Sequence, residues 1–144
     1  MLGKLSVRNF KPKTVKKGKE TSRRKKELKE EFIKQNPRLA ELQTDCIGKQ
    51  LSINVIFYLN KNTSDKSSYK KDLDNLLKIL MDVIKEEMDD NEKKIGLGLV
   101  VKNKDEEIFE INCRKKFVLR EEDEGIDLEI SEWLGNKDET QIQT

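Results

Sequence analysis

The chain has 144 residues, of which 34% are hydrophobic and 40% charged, with 30 Lys/Arg, 28 Asp/Glu and no histidine. Length and composition fit one domain with a modest core, and no apolar run approaches the roughly 20 residues that span a bilayer. Without histidine there is no Ser-His-Asp or Cys-His nucleophile system, no histidine base and no His-ligated zinc, so any hydrolysis must run on carboxylates, lysines and a hard metal ion.

The net charge of +2 conceals two opposed ends. Residues 1–29 hold 12 Lys/Arg and two acidic residues, Glu20 and Glu27. Residues 105–144 hold 13 Asp/Glu and five Lys/Arg. The pattern suggests a polyanion-binding arm and an acidic tail. The N-terminus "MLGKLSVRNFKPK" has no apolar signal region, so a cytoplasmic location and no membrane partner are expected. Cys46 and Cys113 form no paired motif and read as small buried hydrophobes.

In chain order, Leu5, Val7 and Phe10 alternate with polar residues as a short strand that Pro12 ends. A basic loop centred on Gly18 leads to a helix from about Ser22, its N-cap, to about Gln35. Pro37 interrupts it, and "RLAELQTDCI" fits a second short helix ending near Gly48. "QLSINVIFYLN", residues 50–60, is the clearest strand, with Leu51, Ile53, Val55, Phe57 and Leu59 on one face. "KNTSDKSSYKK" is a polar loop without an apolar anchor. From Asp74, Leu76, Leu77, Leu80, Val83, Ile84 and Met88 recur as one helical stripe, while Asp74, Lys78 and Asp82 fall opposite. A hairpin is expected next, from strands at about 95–102 and 107–113. "GIDLEISEWLG" fits a docking helix or a strand equally, and the last ten residues read as solvated chain. This order argues for a small α+β domain, a mixed sheet with helices packed on one face.

The acidic residues around the third helix carry the chemistry. One Asp at its start is explained as an N-cap, worth about 1 kcal/mol, and Lys78 as an exposed ion pair with Asp74 or Asp82, worth a few tenths. That leaves Asp72 surplus, and Asp89-Asp90 forms a second pair past the helix. Fifteen helical residues span about 22 Å, so the two clusters cannot meet along one helix; they can meet within a dimer, or if the helix is shorter and the chain folds back. Clustered carboxylates repel unless a cation is present. Oxygen ligands without histidine favour Mg²⁺ or Mn²⁺, which beside a phosphate activates water and neutralises the leaving oxygen.

"KKDLDNLLKILMDVI" followed by "MDDNE" resembles the RusA-type Holliday junction resolvases, a family common in prophages. The match covers residues 69 to about 113. It consists of Lys70 and Lys71, then the Asp72-x-Asp74-Asn75-x-x-Lys78 core, then Asp82 and Asp89-Asp90. It departs in a short link before the Asp pair, in Glu92 where the family has Gln, and in a late strand start at Ile95; Lys102 stands where the family often carries a lysine on that strand.

The resemblance implies a RusA-like fold in a homodimer that cuts four-way DNA junctions in recombination and repair, using Mg²⁺. Asp72, Asp74 and Asp90 would be the catalytic metal ligands, with Asp89 and Asp82 supporting and Lys78 the essential lysine. The domain would span 1–118, and 119–144 would be an acidic C-terminal tail, partly ordered at most. Lys11, Lys13, Lys16, Lys17, Arg23, Arg24, Lys25, Lys26, Lys70 and Lys71 would contact phosphates, positioning DNA without reading its sequence. The alternative is a nucleic-acid-binding module of this fold that does not cleave. A third reading is a small interaction protein whose charge runs are solvated faces.

Overall fold

Alternating apolar residues need a second layer to cover them, and here three helices supply it. The computed structural model describes residues 1–12, 19–61, 73–85, 97–99 and 107–135. In order, the elements are β1 (Gly3–Arg8), α1 (Lys19–Gln35), α2 (Leu39–Asp45), β2 (Leu51–Asn60), α3 (Leu73–Ile84), β3 (Ile108–Val118) and β4 (Gly125–Glu132), with a 3-10 turn at Glu121–Asp123. The fold is α+β, with one four-stranded mixed sheet in the order β1-β4-β2-β3. β1 and β2 are each antiparallel to β4, while β3 runs parallel to β2.

One face of the sheet presents Leu5 and Val7, Leu51, Ile53, Val55 and Phe57, and Ile126, Leu128 and Ile130. Against it pack Leu28 and Phe32 of α1, Leu39 and Leu42 of α2, and Leu76, Leu80, Val83 and Ile84 of α3. The helices therefore lie on one face, as the periodicities required. Each such side chain contributes about 1.5–3 kcal/mol on burial.

Several expectations change. α1 begins at Lys19, so Ser22 lies inside the helix and does not cap it. The region past residue 118 is no tail over 125–132, because β4 takes an interior place between β1 and β2. Its Ile126, Leu128 and Ile130 are at most 2% exposed, and an apolar row of that kind cannot stay in solvent while a core lacks a strand. The ambiguity at "GIDLEISEWLG" thus resolves to a strand. The expected hairpin is not formed by the residues described. β3 pairs with β2, and the Leu97 and Leu99 amides donate to the carbonyls of Val83 and Ile84 at 2.6 and 2.9 Å. Leu97 and Leu99 are buried there. The physical reason is the crossover: a helix between parallel strands buries its apolar stripe on the sheet, which a local hairpin would not achieve.

The outer edge of β1 is closed by side chains. Asn36 accepts from the Ser6 amide (2.9 Å) and donates to its carbonyl (3.1 Å), and Gln35 does the same for Arg8 (2.8 and 3.0 Å). Two amides thus imitate a neighbouring strand on an exposed edge. The face away from the helices is polar, and its centre is Asp127. The carboxylate accepts from Ser6 Oγ (2.6 Å) and Tyr58 OH (2.9 Å) and pairs with Arg8 (2.9 Å), whose guanidinium lies 4.3 Å over the Tyr58 ring. Burial works to raise this carboxyl, but the bonds from Arg8, Ser6 and Tyr58 outweigh it and hold it below its usual value.

Candidate metal and nucleic-acid site

α3 orients the central motif. Its buried stripe is Leu76, Leu80, Val83 and Ile84, which leaves Asp74 and Lys78 exposed, one turn apart. Leu73 is the first helical residue, so Asp74 sits within the first turn, not at the cap. A negative charge there gains about 0.3–1 kcal/mol from the helix dipole.

The bland explanation of Lys78 as an ion-pair partner is not met. Asp82 pairs instead with Lys25 of α1 (2.8 Å) and with Lys85 (3.6 Å). Asp82 and Lys25, whose side chain is 14% exposed, thus tie α1 to α3, and neither is presented to a ligand. Among the described residues, no ion pair involves Asp74 or Lys78.

The first turn of α3 faces the middle of β3. The Cys113 thiol is pushed up, first by burial and then by the negative charge of Asp74. Next along β3 come Arg114, Lys115 and Lys116, with Lys115 on the same face as Cys113 by strand alternation. Sequence reasoning missed this basic run because it ended the return strand at Cys113. Three consecutive basic residues within an apolar-flanked strand were the available signal. Lys102 lies outside the described residues, so the strand lysines described are Lys115 and Lys116. Cys46 is the inert buried thiol expected, pushed up to about 11 by burial and then by Asp45.

Of the expected phosphate contacts, Lys11, Arg23, Arg24, Lys25 and Lys26 are described. Arg23 and Lys26 are exposed on α1, and Arg23 pairs with Glu27 at 3.7 Å. Arg24 is used internally. Its guanidinium donates to the Lys11 carbonyl and to Glu27 (2.9 Å), lies 4.3 Å over the Phe10 ring and is 16% exposed. It fastens the end of the β1 segment to α1, and its planar fork suits that stacked, bonded place. Lys13, Lys16, Lys17, Lys70 and Lys71 lie outside the described residues.

Of the expected metal ligands, Asp74 is described, while Asp72, Asp89 and Asp90 lie outside. Among the described residues no three His, Cys, Asp or Glu side chains gather as a metal-binding group. The carboxylate donor chemistry fits a hard cation. Two cavities among the described residues lie elsewhere, one of about 340 Å³ over Asn54, Asn112 and Arg114 and one of about 440 Å³ between β1 and α2. Asp74 and Lys78 line neither of them, and both side chains are exposed. No described helix is long and apolar enough to cross a membrane. Comparison with protein-family models, with curated proteins and with solved structures finds no match to this chain.

Proposed function

We propose that the chain is a Mg²⁺-dependent, structure-selective DNA endonuclease of RusA type, with Mn²⁺ able to substitute, which resolves four-way junctions in the cytoplasm as a homodimer. The observation that carries this reading is the pair Asp74 and Lys78, exposed one turn apart and not engaged in any described ion pair, within a motif that resembles that family's. Asp72, Asp74 and Asp90, with Asp89, would hold the ion, which when bound supplies an activated water and neutralises phosphate charge. Lys78 holds the scissile phosphate and stabilises its developing negative charge. The exposed Arg23 and Lys26 on α1 and Arg114–Lys116 on β3 position the backbone around it. Such contacts make binding weaken as salt rises.

The test is a labelled four-way junction and a matched duplex, each with Mg²⁺ and with EDTA. Paired nicks in the junction alone, and with Mg²⁺ alone, are expected. Asp72→Asn and Asp74→Asn should abolish cleavage and Lys78→Ala should slow it by about 10²–10³-fold, with folding and junction binding kept. A shifted but uncut junction under every metal would favour the binding module that does not cleave.

A further inference from the structure

The face of the sheet turned away from the helices has two halves that use their polar groups differently. On one side of it, Ser6, Arg8 and Tyr58 all bond to Asp127. On the other lies the cavity of about 340 Å³, lined by Asn54, Ile56, Asn112, Arg114, Asp127 and Glu129 among others. Among the described residues, no side-chain hydrogen bond or ion pair engages Asn54, Asn112, Arg114 or Glu129.

The strand register sets how these groups stand. Asn54 of β2 lies between Glu129 of β4 and Asn112 of β3, and Ile56 lies between Asp127 and Arg114. Paired residues share a face, so all six sit on the same side of the sheet. β4 and β3 form the two walls, about 9–10 Å apart at the backbone. Asp127 already takes three bonds, which leaves Glu129 as the open carboxylate of one wall, facing Asn112 and Arg114 on the other. The Asn54 amide stands between them, and Ile56 gives an aliphatic floor. α3, which carries Asp74 and Lys78, packs on the opposite face, so the cleft is separate from that motif.

A ligand that satisfies this set offers donors on one side, acceptors on the other and a flat face to the floor. Guanine is the base that does so with two groups on each side. Its N1–H and N2–H₂ donate to one carboxylate, and its O6 and N7 accept from a guanidinium or an amide. We propose that this cleft binds a free guanine nucleotide, with Glu129 accepting from N1–H and N2–H₂ and with Asn112 and Arg114 donating to O6 and N7. Lys116, two residues on along the same face of β3 and in no described ion pair, gives the phosphate a cation. The volume lies within the roughly 300–1,000 Å³ of small-molecule sites.

This inference goes beyond the proposed function, and its test reads nucleotide binding alone. Isothermal titration of the full chain with GMP should saturate, with affinity at least about tenfold above that for AMP, CMP or IMP. IMP is the sharpest of these comparisons, because it lacks only the 2-amino group. Arg114 and Lys116 also stand among the cations proposed to position DNA, so the diagnostic variant is Glu129→Gln, which removes no positive charge. It should weaken GMP binding at least about tenfold and favour XMP, whose C2 oxygen accepts from an amide. Loss of fold cannot produce that exchange. No saturable binding of GMP, equal binding of the four nucleotides, or a preference for GMP over XMP that Glu129→Gln leaves unchanged would each overturn the proposal. Binding to an oligonucleotide of guanines but not to GMP would also overturn it, and would give the cleft to a strand.

Discussion

Asp127 is the residue on which the exposed face of the sheet depends. It is buried on an interior strand and takes bonds from three side chains. Asp127→Asn keeps the volume but removes the charge that Arg8 pairs with, and should cost about 1–3 kcal/mol near neutral pH. Because the folded carboxyl is held below its usual value, the bonds contribute stability above the unfolded pKa and lose it as pH falls through the folded one. The gap between wild type and variant in urea melts should therefore close in strong acid. A gap that held constant would assign the loss to packing.

Gly125 shows a different dependence at the same scale. A Cβ there would stand 1.8 Å from the Val7 carbonyl oxygen, a backbone atom that cannot move aside without breaking the β1–β4 ladder. Gly125→Ala should destabilise by about 3 kcal/mol, at the top of the range for overpacking. A thermal melt checks it.

At the scale of elements, α1 and α3 are joined by an ion pair as well as by their apolar stripes. Lys25 and Asp82 are half-buried or more, so their pair should exceed a solvent-exposed one. A double-mutant cycle with Lys25→Ala and Asp82→Ala should give a coupling of about 1 kcal/mol that shrinks at high salt. No coupling would leave the stripes alone to hold the helices. The same pairing explains why neither Lys25 nor Asp82 belongs with the exposed motif, although spacing put Asp82 on a face with Asp74 and Lys78.

For the whole molecule, the interior place of β4 decides what can be removed. β1 pairs only with β4 among the described strands, and β2 pairs with it over eight residues. A chain ending at residue 118 should therefore lose cooperative unfolding and its dispersed amide spectrum. A cut after Gly135 leaves every described strand intact and should spare both. If the shorter chain folds, the sheet order is wrong.

The elements themselves were legible because period two and period three to four each state which side chains share a face. Leu51 to Leu59 and Leu76 to Ile84 declared their buried sides without help, and the Asp-x-Asp-Asn-x-x-Lys spacing marked Asp74 and Lys78 as a candidate site. Partners were not legible. Alternation says that a strand has a buried face but not which strand lies beside it, so β3 was assigned to its neighbour in sequence and β4 to a tail. Nor does a count of basic residues tell which are spent inside: Arg24 and Lys25 look like Arg23 and Lys26 in the sequence and differ only in what the fold brings against them. Local periodicity follows from backbone geometry within a few residues. Strand order and the use of each charge follow from burial and pairing between segments far apart in the chain, which tertiary packing alone sets.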